Sequence, residues 1–102
     1  MVIYMSKEPI EINLKFEDNG LAGFDRGVIE FNNQCRNKLK GITKETDILI
    51  HFPNDIQGIS SSFVQGFFKH LIDNFGYDYI INKVTLRCET ATLALKIKQL
   101  IF

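Results

Sequence analysis

The sequence has no tryptophan, two prolines and two cysteines among its 102 residues. Cys35 and Cys88 lie far apart and fit neither a CxxC motif nor zinc-ligand spacing, so we expect small core residues in a reducing compartment. No apolar run approaches the length of a membrane span, and residues 1–5 are too short and lack the basic start of a signal peptide. A cytoplasmic protein without a membrane partner is therefore expected.

Neither sign of charge is in excess, because twelve Lys and Arg residues balance twelve Asp and Glu residues. A nucleic-acid-binding protein usually needs a basic surface, so we expect no nucleic-acid partner. The glycines match neither the GxGxxG nor the Walker phosphate-binding pattern. With 45% hydrophobic and 24% charged residues, the composition is that of an ordinary globular protein, and the length predicts one domain over residues 1–102.

The first half of the chain predicts a strand, a helix and a second strand. Residues 10–16 alternate apolar and polar side chains, which is typical of a strand with one buried face, and residues 2–4 predict a short strand before it. Apolar residues at helical spacing predict a helix over residues 26–40, with Asp25 as its cap. The continuous apolar run at residues 48–50 predicts a central strand buried on both faces.

The second half predicts a helix, a strand and a final helix. Residues 62–75 carry a wide apolar face, which is expected to dominate the core, and close packing against the sheet would explain Gly66 in its middle. Residues 84–87 predict a strand and residues 89–102 a helix, whereas residues 79–81 receive no assignment. The alternation predicts an α/β fold with a mixed β-sheet and helices packed mainly on one face.

Three of the four serines lie together where the second predicted helix begins, at Ser60, Ser61 and Ser62. Hydroxyls at the positive end of a helix suit a capping role, an anion site or a phosphoacceptor. The spacing of Ser62 and Gln65 fits a capping box, so capping by Ser62 is the simplest explanation. Capping by Ser62 is compatible with an exposed Ser61, and the residues alone leave the three roles open.

The segment Asp47-Ile-Leu-Ile-His-Phe52, followed by Ile59-Ser-Ser-Ser-Phe-Val64, resembles the STAS-like superfamily, which includes the bacterial anti-sigma-factor antagonists. The likeness is greater to small bacterial STAS-like proteins of uncharacterised function, and it covers residues 10–102. In the antagonists this loop reads Ile-Asp-Ser-Ser-Gly-Leu, and a partner ATPase-kinase phosphorylates the first serine. Ser61 matches that serine, while Ser60 replaces the aspartate and Phe63 replaces the glycine.

The resemblance implies a non-enzymatic interaction module that binds a protein partner, such as a histidine-kinase-like ATPase, through residues 53–64. The expected binding residues are Asp55, Ser60, Ser61 and Ser62, with Ser61 as the candidate phosphoacceptor. No cofactor or metal is expected, and the oligomeric state is left open.

Two alternatives would use the same loop. One is a small hydrolase-like enzyme that groups Ser61, His51 and Asp55, although no GxSxG motif is present. The other is a domain that binds a small ligand or a nucleotide. His70 is expected to be solvated. Arg26 and Arg36 are candidates for contact with a phosphate or an acidic partner, but a solvated helix face is the simpler expectation for them.

Overall fold

A computed structural model describes residues 8–101, so the strand predicted at residues 2–4 lies outside the described part. The strands are β1 (Ile10–Asn13), β2 (Gly20–Leu21), β3 (Ile48–His51), β4 (Gly58–Ile59) and β5 (Val84–Arg87). The helices are α1 (Phe24–Gln34), α2 (Ser61–Phe75), α3 (Tyr77–Lys83) and α4 (Ala91–Ile101). Within residues 8–101, no helix has both the length and the apolar character needed to cross a membrane.

The strands form two parallel sheets. The larger has the order β1-β3-β5, with Ile12 opposite Ile50 and Ile50 opposite Leu86, and the smaller pairs β2 with β4. The α/β alternation predicted from the sequence is confirmed, and β3 is the central strand. The described strands pair only in parallel, which differs from the predicted mixed sheet. Helical crossovers join successive strands of the larger sheet, and such connections bring strands back in the same direction.

The larger sheet has one buried face and one more open face, although Leu49 at the centre of the open face is only 8% exposed. Ile12, Ile50 and Leu86 lie on the buried face, whereas Glu11 and Arg87 on the opposite face are exposed. Right-handed crossovers place α1 and α2 on the same side of a sheet with this strand order. The two helices contact each other extensively, and α4 contacts α2 on the same layer. The helices therefore cover the apolar face.

Helix α2 supplies the largest part of the core, as its apolar face predicts. Phe63, Phe67 and Phe68 are completely buried. The ring of Phe67 has four aromatic neighbours, with centroid distances of 5.6 Å to Phe31, 6.2 Å to Phe52, 6.1 Å to Phe63 and 5.0 Å to Phe68. Because Phe31 belongs to α1 and Phe52 follows β3, one side chain joins the helical layer to the sheet.

Two glycines allow α1 and α2 to approach backbone to backbone. A Cβ atom on Gly66 would lie 2.1 Å from the carbonyl oxygen of Phe24, and one on Gly27 would lie 2.2 Å from the carbonyl oxygen of Phe63. Both distances are far below any real contact of a Cβ atom. The sequence prediction that Gly66 packs against the sheet is therefore wrong, because its neighbour is the first turn of α1.

The bounds of α1 differ from the prediction. The helix starts after Gly23, whose φ of 94° favours glycine, so Asp25 lies in the first turn and is not the cap. It ends at Gln34, because the backbone N–H groups of Cys35 and Arg36 both donate to the carbonyl of Phe31 and the helical register is lost. Turns follow over residues 35–41. Residues 79–81, left unassigned from the sequence, lie in α3.

Both cysteines are free and sheltered. Cys35 is completely buried beside α1, and its burial raises the pKa of the thiol to about 12. Cys88 is half-buried, and burial raises its pKa as well. Because the thiolate is the reactive form, the Cys35 thiol is inert at neutral pH. Both side chains lie in or against the apolar core, as expected from the sequence.

Candidate functional site

The starts of α1 and α2 lie side by side. Strands β2 and β4 pair in parallel, with Leu21 opposite Ile59, and each strand leads within a few residues into its helix. The backbone N–H of Ser60 also donates to the carbonyl of Leu21, at 2.8 Å. Since both helices run in the same direction from this ladder, their positive amino-terminal ends are neighbours.

Ser60 is the N-cap of α2. Its backbone is extended, with φ −92° and ψ 155°, and its Oγ accepts the backbone N–H of Phe63 at 3.1 Å. The same Oγ accepts the N–H of Gly23 at 3.3 Å, so it also binds the residue that precedes α1. The prediction that Ser62 caps the helix is wrong, because Ser62 is already in α2 and its Oγ lies 3.1 Å from that of Ser60.

Replacement of Ser60 by alanine is expected to cost about 1–2 kcal/mol of unfolding free energy, since a side chain that accepts two backbone N–H groups would be lost. Ser62→Ala provides the matched control, because it removes a hydroxyl two residues away without removing the cap. We expect a loss of less than about 0.5 kcal/mol for Ser62→Ala. Urea denaturation followed by circular dichroism measures both values, and equal losses would contradict the assignment of the cap to Ser60.

Ser61 is the first residue of α2, and its side chain is exposed. Within residues 8–101 its hydroxyl has no hydrogen-bond partner. The neighbouring serines differ, because Ser60 and Ser62 are half-buried and their hydroxyls contact each other. Of the three clustered hydroxyls, that of Ser61 is therefore the one open to an enzyme or a partner.

The loop before the serines is anchored at one end and open at its turn. The backbone N–H groups of Gln57 and Gly58 both donate to the carbonyl of Asn19, at 2.8 and 3.2 Å, and the Ile56 side chain packs against the core. Asp55 lies in the turn and is exposed. Asp55 and Ser61 are both exposed in the segment of residues 53–64, and no hydrogen bond joins them among the described residues.

Among residues 8–101, the residues of the hydrolase alternative are not joined by hydrogen bonds. His51 lies on the open face of the larger sheet, where its Nε2 is 3.8 Å from Oε2 of Glu11. In the described part of the chain this Nε2 is buried and has no hydrogen bond. No hydrogen bond joins His51 to Ser61 or to Asp55 among residues 8–101. The enzyme alternative therefore gains no support from the geometry.

The side chain of Arg26 forms hydrogen bonds within the protein. Its guanidinium donates to Asp18 and, at 3.1 Å, to the carbonyl of Gly20. The hydrogen bonds from Arg26 lower the pKa of Asp18 below its usual value. Arg26 therefore holds the segment before β2 against α1, and it is not the solvated side chain that was expected.

Among the described residues 8–101, no three His, Cys, Asp or Glu side chains lie close enough together to bind a metal ion. The candidate site consists of the exposed start of α2 and the loop that precedes it. Comparison with known proteins found no matching family model, no matching curated protein and no matching solved structure. The STAS-like resemblance accordingly rests on the residues quoted from the sequence.

Proposed function

We propose that the chain is a non-enzymatic protein-interaction module of STAS-like type, in which residues 53–64 contact the partner and Ser61 accepts a phosphate. The observation that supports this proposal most is the division of roles among the serines. Ser60 caps α2, Ser62 is half-buried against it, and Ser61 is exposed without a hydrogen bond in the described chain. A modifying enzyme can reach Ser61 without breaking the cap.

The physics of this site favours a switch in binding over a change in fold. A phosphate on Ser61 would carry a charge of about −1.5 to −2 at pH 7. Negative charge is stabilised at the amino-terminal end of a helix, and here a second helix start lies beside it. The module itself therefore tolerates the phosphate. A partner surface packed over the same residues would have to desolvate that charge, which weakens the complex unless the partner supplies arginines.

The proposed partner is a cytoplasmic histidine-kinase-like ATPase, which the resemblance implies. In this proposal the ATPase both binds residues 53–64 and transfers the phosphate to Ser61, so that modification releases the complex. Asp55 contributes an exposed negative charge at the turn of the same segment. Ser60 acts indirectly, because it fixes the start of α2 from which Ser61 is presented.

The test combines site mapping with binding. We expect mass spectrometry of the protein from its own cells to find phosphate on Ser61, and we expect Ser61→Asp to bind the purified ATPase at least about tenfold more weakly than Ser61→Ala. Gln65→Asp is the matched control, because it places the same charge on an exposed residue one turn further along α2. Equal binding by all three variants, or phosphate only at other residues, would overturn the proposal.

A further inference from the structure

The cations of this neutral chain are unevenly placed. Residues 36–44 contain Arg36, Lys38, Lys40 and Lys44 and no acidic residue. Residues 8–30 hold six acidic side chains against two basic ones, which gives them a net charge of −4. The segment just after α1 is therefore basic, although the chain as a whole has no net charge. Most runs of charged residues are only solvated surface. A binding site requires that these cations line one concave surface of the protein.

Three adjoining depressions form what we call the basic groove, whose lining includes Arg36, Lys40, Lys44, His70 and Phe75, together with the carboxylates of Asp73 and Asp78. The first, of about 180 Å³, lies between α1 and α2. The second, of about 230 Å³, shares Arg36 and His70 with it and adds Lys40. The third, of about 290 Å³, shares Phe75 with the second and is bordered by Lys44. The first two depressions lie towards the carboxyl-terminal ends of α1 and α2, and the third lies against α3.

Within residues 8–101, the groove cations Arg36, Lys40 and Lys44 lack counter-ions. Lys69 and Lys83, which line the first and third depressions, form ion pairs with Asp73 and Asp47. In contrast, no carboxylate of residues 8–101 lies within 4.0 Å of Arg36, Lys40 or Lys44, and the Arg36 guanidinium donates only to the Asn32 amide oxygen, at 3.2 Å. Unpaired cations that line one concave surface attract an anionic partner and raise its association rate.

The floor of the basic groove is apolar. Leu39 lies beneath the second depression and is 7% exposed, and Ile42 and Phe75 are half-buried beside it. His70, which was expected to be solvated, is half-buried, with its ring 5.4 Å from that of Phe31. An occupant therefore needs apolar side chains as well as negative charge, a combination that acidic peptides offer and that the phosphate backbone of a nucleic acid does not.

We propose that the basic groove binds an acidic peptide segment of a partner protein, with carboxylates on Arg36, Lys40 and Lys44 and apolar side chains on the floor. The second and third depressions are separate from Ser61, because the 15 residues of α2 place Phe75, which both depressions share, about 21 Å from Ser61. A partner could therefore contact both ends of α2. The proposal stands whether or not Ser61 is phosphorylated.

The test uses fluorescence anisotropy with a labelled synthetic peptide that alternates Glu with Leu and Phe. We expect saturable binding that weakens as salt is added and is lost when Gln replaces Glu in the peptide. Reversal of two charges in the variant Arg36→Glu/Lys40→Glu is expected to lower the affinity at least about tenfold. Both side chains are exposed, so the variant should unfold at the same urea concentration as the parent protein.

The matched control is Lys15→Glu/Lys96→Glu, which changes the net charge equally at two exposed residues outside the basic groove. We expect it to bind the peptide as the parent protein does. An equal loss in this control would show that net charge alone drives binding and would overturn the proposal. Failure of the Glu peptide to bind would do the same, as would a single-stranded oligonucleotide that binds more tightly than the peptide through Arg36 and Lys40.

Discussion

Substitution of Gly66 by alanine is expected to destabilise the protein by about 3 kcal/mol, although alanine is the better helix former by about 1 kcal/mol. The added Cβ would lie 2.1 Å from the carbonyl oxygen of Phe24 and 2.9 Å from its carbonyl carbon. These are backbone atoms, so no rotation of a side chain relieves the overlap, and α1 must move away from α2. Because the two helices share much of the core, such a movement loosens many contacts at once.

Two further glycine variants make this prediction specific. Gly27→Ala should cost a similar amount, because its Cβ would meet the backbone of Phe63 and Phe67 at 2.2 and 2.7 Å. Gly20→Ala should be neutral or stabilising by up to about 1 kcal/mol, because no atom lies within 4 Å of its added Cβ. Urea denaturation midpoints compare all three. A Gly66→Ala protein as stable as the parent would show that α1 and α2 do not touch as described.

Helices and strands with a clear local pattern of apolar residues were predictable from the sequence. The apolar face of α2 gives its position to within one residue, since the prediction begins at residue 62 and the helix at Ser61. The run at residues 48–50 and the alternation at residues 84–87 likewise give β3 and β5. The α2 segment has helical periodicity, whereas the continuous apolar run of β3 is typical of a strand buried on both faces.

Features that depend on distant contacts were not predictable. Helix α1 ends early at Gln34, whose side-chain amide binds both the backbone N–H and the carbonyl of Lys15, each at 2.8 Å. That contact joins residues 19 positions apart, and no local sequence pattern predicts it. The same holds for the pairing of β2 with β4, whose two-residue strands carry no periodicity of their own. At such positions tertiary contacts override the local secondary-structure propensity.

The candidate site was predicted in position but not in detail. The serine cluster lies at the start of α2 as expected, yet the capping-box spacing of Ser62 and Gln65 favoured the wrong serine as the cap. The position of the cap depends on where strand β4 ends, which is at Ile59, the residue that pairs with Leu21 of β2. Ser60 therefore became the cap, and Ser61 became the exposed residue. The basic groove was missed because its cations come together with His70 only after α1 and α2 have packed.

Truncation of Phe67 to alanine is expected to have the largest effect of any single core substitution considered, with a loss of about 3–5 kcal/mol of unfolding free energy. The ring is completely buried, and it contacts Phe31 of α1, Phe52 after β3, and two further rings of α2. Its removal leaves a cavity where the helical layer meets the sheet. Proteins of this size have roughly 5–15 kcal/mol of stability, so much of it would be lost.

Leu95→Ala is the matched control for Phe67→Ala, because Leu95 is also a large apolar side chain in a helix but is 61% exposed. Its loss should stay within about 0.5 kcal/mol. Phe67→Leu should fall between the two variants, because leucine keeps part of the buried volume and leaves a smaller cavity. Chemical denaturation ranks the three proteins. Equal losses of unfolding free energy for Phe67→Ala and Leu95→Ala would contradict the role of Phe67 in joining the helical layer to the sheet.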